Sequence, residues 1–378
     1  DIGIETISAF HHYSAWYAPL KNACLTAGLT ETQAPCVVAV EDTFKSKKFQ
    51  ELLKLVNSAK EKNHLLIADE CHHFNDPRHL TYLPPFFKFR LGLSATPYDQ
   101  FSEKYLDKYF TGISYEFSLG QAIEGRFLCP YEYHVIEVSL DEEETERYEI
   151  LTRQIGRIIG AAEKITPENK FKVQPYLLKR ARIVGVAKDK LTKLSESVKK
   201  SGKQEYALFY CGDGSIEEES GNQSRQINEV TRLLSGLRWN VAKVTADESL
   251  AEREKMISAL KKQEIDAIVC IRVLDEGIDI PACRVAYFLA SQRSERQHIQ
   301  RRGRILRLYD KEKEKAIIYD FVVTRTMGNS PMCNKLIRRE LERVWRFSSD
   351  AMNGKDVMDS FQVLANKVEL HKEEKINE

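Results

Sequence analysis

The chain has 378 residues, enough for two domains of ordinary size with appendages. Its 57 basic residues nearly balance 56 acidic ones, for a formal net charge of +1, which excludes a global electrostatic footprint for a polyanion and leaves only local basic patches to hold one. No apolar run approaches the roughly 18 residues that span a bilayer, and no secretory leader is read, so no membrane partner is expected and the cytoplasm is the expected location.

Along the chain, Val37-Val38-Ala39-Val40, Leu65-Leu66-Ile67-Ala68 and Phe89 to Leu93 read as strands. The run at Leu65 is expected to be buried. Phe49 to Ala59 reads as a helix, with Leu52, Leu53 and Val56 at helical spacing and lysines opposite. A second set begins near Tyr131 with a strand from Tyr133 to Val138. A charged amphipathic helix from Glu142 to Ile159 follows, then a basic helix from Lys179 to Lys200 ended by Gly202. Further strands are expected at Ala207 to Cys211, Val241 to Val244, Ala267 to Ile271, Val285 to Leu289 and Ala316 to Tyr319, separated by helical stretches. Such alternation implies parallel sheets wrapped by helices, in two α/β lobes.

Residues 212–224 read as a polar, exposed loop. The tail from Pro331 reads as helical, with Lys335, Arg338, Arg339, Arg343 and Arg346 clustered on one side as a solvated face; contact with a phosphate backbone is the alternative. Eight cysteines are scattered without a Cys-x-x-Cys pair, the pattern of buried reduced thiols rather than of a disulfide framework. Cys71, His72, His73 and His79 lie close in sequence, but their spacing matches no usual zinc pattern.

Four segments carry chemistry. The strand at Leu65 ends in Asp69-Glu70, followed after one residue by His72. A strand that delivers two carboxylates to its carboxyl end places them where an open parallel sheet binds ligands. There Asp69 can hold Mg²⁺ bound to phosphates and Glu70 can orient an attacking water. The strand at Phe89 ends in Ser94-Ala95-Thr96, whose hydroxyls can hydrogen-bond the acidic pair and report its state. After the strand at Ala267 comes Leu274-Asp275-Glu276-Gly277-Ile278-Asp279-Ile280-Pro281, in which Gly277 permits a close backbone approach and Asp279 can accept from a ribose hydroxyl. In Gln300-Arg301-Arg302-Gly303-Arg304-Ile305-Leu306-Arg307, Arg304 and Arg307 are three apart, a spacing that on a helix presents both to one point, and Gly303 is expected to admit a neighbouring backbone. Paired guanidiniums stabilise charge on a γ-phosphate, as arginine fingers do.

In this order the segments resemble motifs II, III, V and VI of the superfamily 2 helicases, with Phe209-Tyr210-Cys211 at the place of motif IV and Val244-Thr245-Ala246 with Arg253 ahead of motif V. Within that superfamily the chain looks most like bacterial relatives of the xeroderma pigmentosum group B helicase and the motor parts of restriction enzymes. The resemblance implies two RecA-like lobes: the C-terminal part of the first over 1–126, incomplete at its N-terminus, the second over 127–325, and a helical tail over 326–378. It implies an ATP-dependent DNA helicase or translocase, with a role in restriction or phage defence as a further expectation. Its residues would be Asp69 for Mg²⁺, Glu70 as catalytic base, and His72 with Ser94 and Thr96 for coupling. Gly277, Asp279, Gln300 and Arg301 would contact nucleotide, and Arg304 and Arg307 would be the fingers.

One part of the pattern is absent. A phosphate loop reads Gly-x-x-x-x-Gly-Lys-[Ser/Thr], and neither Gly202-Lys203 nor Gly354-Lys355 satisfies it. The expectation is that the front of the first lobe, carrying that loop, comes from a missing N-terminal segment or a partner chain, and that these residues alone do not hydrolyse ATP. The competing expectations are a non-catalytic split or degenerate motor that clamps nucleic acid, and an RNA helicase.

Overall fold

The computed structural model describes residues 6–26, 36–56, 64–98, 103–160, 167–217, 223–271, 282–290, 295–309, 313–327 and 331–373. The chain forms two compact units, Asp1–Glu116 and Phe117–Glu378.

The first unit runs β1 (Thr6–Ala9), α1 (Tyr13–Thr26), β2 (Cys36–Ala39), α2 (Glu41–Lys45), α3 (Lys47–Val56), β3 (Leu65–Ala68), a 3₁₀ turn (Cys71–Phe74), α4 (Pro77–Leu80), β4 (Phe89–Gly92) and α5 (Asp107–Phe110). Strands β1 and β2 pair in parallel, as do β3 and β4, where Ala68 registers with Gly92. Helix α3 lies where helical spacing predicts one, and its Phe49, Leu52, Leu53 and Val56 are buried against Trp16, Leu20 and Cys24 of α1. Ala68, Cys71, Phe74, Leu83, Leu106 and Tyr109 form a second small core. The β3 run is covered on one face only: Leu65 and Ile67 are 56% and 57% exposed, so the expectation of a fully buried strand is corrected. Residues alternate across a strand, and an apolar run does not say which faces are covered.

The second unit runs α6 (Leu119–Glu124), β5 (Tyr131–Leu140), α7 (Glu142–Ile159), α8 (Pro167–Gly185), α9 (Asp189–Ser201), β6 (Ala207–Tyr210), β7 (Ser215–Glu217), β8 (Gln223–Arg225), α10 (Gln226–Gly236), β9 (Val241–Val244), α11 (Leu250–Lys261), β10 (Ala267–Cys270), β11 (Val285–Phe288), α12 (Glu295–Ile305), β12 (Ala316–Thr326), α13 (Pro331–Ser348) and α14 (Gly354–Glu373). Six strands make one parallel sheet in the order β5-β12-β11-β6-β10-β9. Its central strands are buried on both faces. Leu208 and Tyr210 of β6 enter the core lined by α11 to α14, while Ala207 and Phe209 enter the one lined by α7 to α10.

Three local expectations change here. The basic helix from Lys179 to Lys200 is two helices, broken at 186–188. The break is held from outside: Glu144 accepts from the Lys188 amide at 2.9 Å and Gln226 donates to the Gly185 carbonyl at 3.1 Å. The loop at 212–224 contains an antiparallel hairpin, β7 with β8. In the tail, Arg343 is not on a solvated face. It is buried, with Nε 3.0 Å from Asp320 Oδ2 and Nη2 2.9 Å from Glu340 Oε2, whereas Arg338 pairs with Glu342 at the surface. The turn between α13 and α14 caps the edge strand β5, Asn353 bonding both the amide and the carbonyl of Tyr133.

Candidate functional site

In the first unit, ladder pairing continues past the strand ends. Leu93 donates to the Ala68 carbonyl and Cys71 to the Leu93 carbonyl, both at 2.9 Å, so residues 69 and 70 turn out at the carboxyl end of β3. Gly92 suits the close approach there, since a Cβ would lie 3.1 Å from Cys71 Sγ and 3.3 Å from Phe110, tight contacts that would ask those side chains to give by a few tenths of an ångström. Asp69 is exposed and its Oδ1 accepts from the Glu70 amide at 2.9 Å. Glu70 has φ 46° and ψ 44°, a left-handed conformation that costs a non-glycine residue on the order of 1 kcal/mol. Its Oε2 lies 3.1 Å from Nδ1 of His72, and that nitrogen lies 3.1 Å from Ser94 Oγ. The Ser94 hydroxyl accepts from the Thr96 amide at 3.2 Å. Glu70, His72, Ser94 and Thr96 are thus one connected group, brought together by the β3–β4 pairing.

The neighbouring histidines have partners of their own. His73 Nδ1 lies 2.5 Å from Glu41 Oε2, and Nδ1 of His79 donates to the His73 carbonyl at 3.0 Å. Burial raises the Glu41 carboxyl, but hydrogen bonds from Lys45 and His73 outweigh that and hold it below the usual range. Among the described residues no group of three or more His, Cys, Asp or Glu is placed to hold a metal ion.

In the second unit, α12 carries Gln300, Arg301, Arg302 and Arg304. Gln300 and Arg304 are half-buried. Arg301, expected at the nucleotide, is 1% exposed, with its guanidinium 4.5 Å from the Tyr210 ring centroid. Arg302 is also buried, donating to Tyr131 Oη at 3.0 Å and to the Arg346 carbonyl at 3.2 Å, beside the Phe347 ring. It latches α12 to the end of α13, a role that sequence reasoning missed because its partners are distant in the chain.

Arg304 and Arg307 do not share a helix face. Helix α12 ends at Ile305, and Arg307 forms an isolated antiparallel bridge with Leu128 while Cys129 donates to the Leu306 carbonyl at 2.8 Å. This pairing with 128–129 draws 306–307 out of the helix, so the three-residue spacing does not by itself aim the pair. Among the described residues a Cβ on Gly303 would meet nothing within 4 Å, so no neighbouring backbone there explains that glycine. Gly277 and Asp279 lie outside the described residues.

Comparison with known proteins finds two family matches. Residues 191–309 match the helicase conserved C-terminal domain, and residues 9–99 match the type III restriction enzyme res subunit. The chain is 26% identical over 279 residues to the DNA 3'-5' translocase XPB2 of Sulfurisphaera tokodaii, covering 69% of this chain and 59% of that protein. It is 32% identical over 123 residues to UvrABC system protein B of Francisella tularensis, covering 31% of this chain and 18% of that protein. The chain therefore spans less than two thirds of the length of these relatives. Among solved structures, the ATP-dependent type ISP restriction-modification enzyme LlaBIII bound to DNA shares the fold, with a TM-score of 0.52 and 15% identity over 92% of this chain and 25% of that one. The motifs in their order, the parallel α/β architecture and these likenesses together make the chain a superfamily 2 helicase relative, of the kind that includes XPB translocases and restriction-enzyme motors.

Proposed function

We propose that the protein is the core of an ATP-dependent DNA helicase or translocase, in which ATP hydrolysis drives movement along DNA. The observation that carries this reading is Glu70: a carboxylate at the end of a parallel strand, in a strained left-handed conformation and tied through His72 to Ser94. Strain of this kind persists where surrounding structure over-determines it, and it clusters at active sites.

Mg²⁺ is commonly held by one or two carboxylates plus substrate phosphates, so the exposed Asp69 carboxylate fits it. Bound with ATP, it neutralises phosphate charge. Glu70 accepts a proton from the attacking water. His72, Ser94 and Thr96 transmit the state of Glu70 to β4 and beyond. Arg304 and the exposed Arg307 stabilise charge on the transferred phosphoryl, and Gln300, Gly277 and Asp279 contact nucleotide. Arg301, over the Tyr210 ring, holds α12. The likeness to restriction motors supports a place in restriction or phage defence.

The second reading, a non-catalytic clamp on nucleic acid, is favoured by one observation: no Gly-x-x-x-x-Gly-Lys-[Ser/Thr] occurs in these 378 residues. On the leading reading they do not turn over ATP alone, and a phosphate loop is supplied by other polypeptide. The test therefore uses the full-length gene product. Its ATPase is expected to be stimulated by DNA, and Glu70→Gln is expected to lower kcat by at least about 10²-fold while DNA binding persists. DNA binding without ATPase under any nucleic acid would select the clamp. Stimulation by RNA but not DNA would select an RNA helicase.

A further inference from the structure

We infer that Lys313 is a positioning residue for Arg307, fixing from inside the protein where that guanidinium begins. Lys313 sits in the charged run Lys311 to Lys315, where a solvated side chain is the ordinary expectation, yet it is only 4% exposed. Its ammonium donates to two backbone carbonyls, Ile305 at 2.7 Å and Arg307 at 2.6 Å. These flank the point where α12 ends. A cation at the carbonyl end of a helix is favoured by the helix dipole, and hydrogen bonds to a charged donor are the stronger kind.

The carbonyl between them, that of Leu306, is taken by the Cys129 amide. All three consecutive carbonyls at the tip of the arginine segment are thereby engaged, two of them by one side chain. The ammonium is deep enough to be felt by the Cys129 and Cys283 thiols: burial pushes both upward and Lys313 pulls them back. Arg307 itself is exposed and off the helix, so its side chain inherits its origin from this backbone turn. A lysine that merely filled space would have no reason to fasten both sides of the turn that releases Arg307. The inference rests on the reading of Arg307 as a residue of the ATP site, but its structural part does not.

The test is hydrogen–deuterium exchange on the full-length protein and its Lys313→Met and Lys313→Arg variants, alongside ATPase assays that include Arg307→Ala. In Lys313→Met, exchange at the Leu306, Arg307 and Cys129 amides is expected to rise about tenfold while the amides of β6 and β10 stay unchanged, with Lys313→Arg restoring protection. The kcat of Lys313→Met is expected to fall to that of Arg307→Ala, with KM and DNA affinity within about twofold, and the double variant is expected to be no slower than Arg307→Ala alone. Unchanged exchange in Lys313→Met overturns the inference, as does unchanged kcat where Arg307→Ala is slow. If Lys313→Met does not fold, Lys313→Gln, which keeps a single donating group, carries the same comparison. If Arg307→Ala leaves turnover intact, the assignment of Arg307 to the ATP site fails, and exchange alone decides whether Lys313 sets its position.

Discussion

Ser94 Oγ and His72 Nδ1 lie 3.1 Å apart across the ends of two paired strands, and the same ring nitrogen is 3.1 Å from Glu70 Oε2. One imidazole position therefore serves a hydroxyl on β4's side and a carboxylate on β3's side. Ser94→Ala removes the hydroxyl without touching the carboxylates. On the proposed function, ATPase activity of the full-length protein is expected to stay within a few-fold of wild type, while movement on DNA slows about tenfold, the scale of one lost hydrogen bond. Parallel measurement of ATP turnover and strand displacement or triplex displacement checks this; an equal fall in both would place Ser94 in hydrolysis rather than coupling.

Asn353 substitutes for a neighbouring strand at the β5 edge. Its Oδ1 accepts from the Tyr133 amide and its Nδ2 donates to the Tyr133 carbonyl, both at 2.9 Å. Asn353→Ala strips both partners from the backbone of buried Tyr133, and a loss of about 1–3 kcal/mol is expected. Urea unfolding followed by tryptophan fluorescence measures it, and a change below about 0.5 kcal/mol would show that water replaces the side chain.

Arg343 lies between Asp320 and Glu340, and Tyr133 donates to Asp320 Oδ2 at 2.8 Å. Arg343→Met leaves two buried carboxylates without the guanidinium that pairs with both, for which about 3–5 kcal/mol is expected. Arg338→Met, which breaks an exposed pair with Glu342 at 3.4 Å, is expected to cost under about 1 kcal/mol. Comparable losses in the two variants would remove the distinction between the inward and outward faces of α13.

Lys190 is buried and donates to the Leu289 carbonyl, facing Glu340, Arg343, Asp320 and Glu144. Burial lowers its pKa to about 8, from an ordinary value of 10.5. The unfolded chain therefore holds a proton in a range where the native state has released it, so stability rises with pH between about 8 and about 10. Relative to Lys190→Met, the wild type is expected to gain stability between about pH 7.5 and pH 9.5. Parallel unfolding curves across that range are the measurement; a difference independent of pH would show that the ammonium does not titrate there.

Helix α7 was legible from the sequence because its charged amphipathic run lies in adjacent residues; the structure adds a reciprocal capping box of Asp141 and Glu144 at its start. The same holds for α3, whose apolar spacing alone names its buried face, and for Asp69-Glu70, which stand at the end of one strand. These features depend on neighbours within one turn or one strand. They survive translation from sequence to structure.

What only the tertiary structure decided involves partners far apart in the chain. The break at 186–188 is held by Glu144 and Gln226, and the inward turn of Arg343 by Asp320. The latch at Arg302 requires Tyr131 and Arg346, and the release of Arg307 from its helix requires Cys129 and Lys313. Periodicity marks a charged side chain as polar; it does not say whether a compensating group waits inside the fold. Burying a charge costs several kcal/mol unless such a group is present, so whether an arginine or lysine faces water or the core is settled only when distant strands and helices meet. The residue types alone carry the family resemblance, and packing decides how the arginines of α12 and α13 are held.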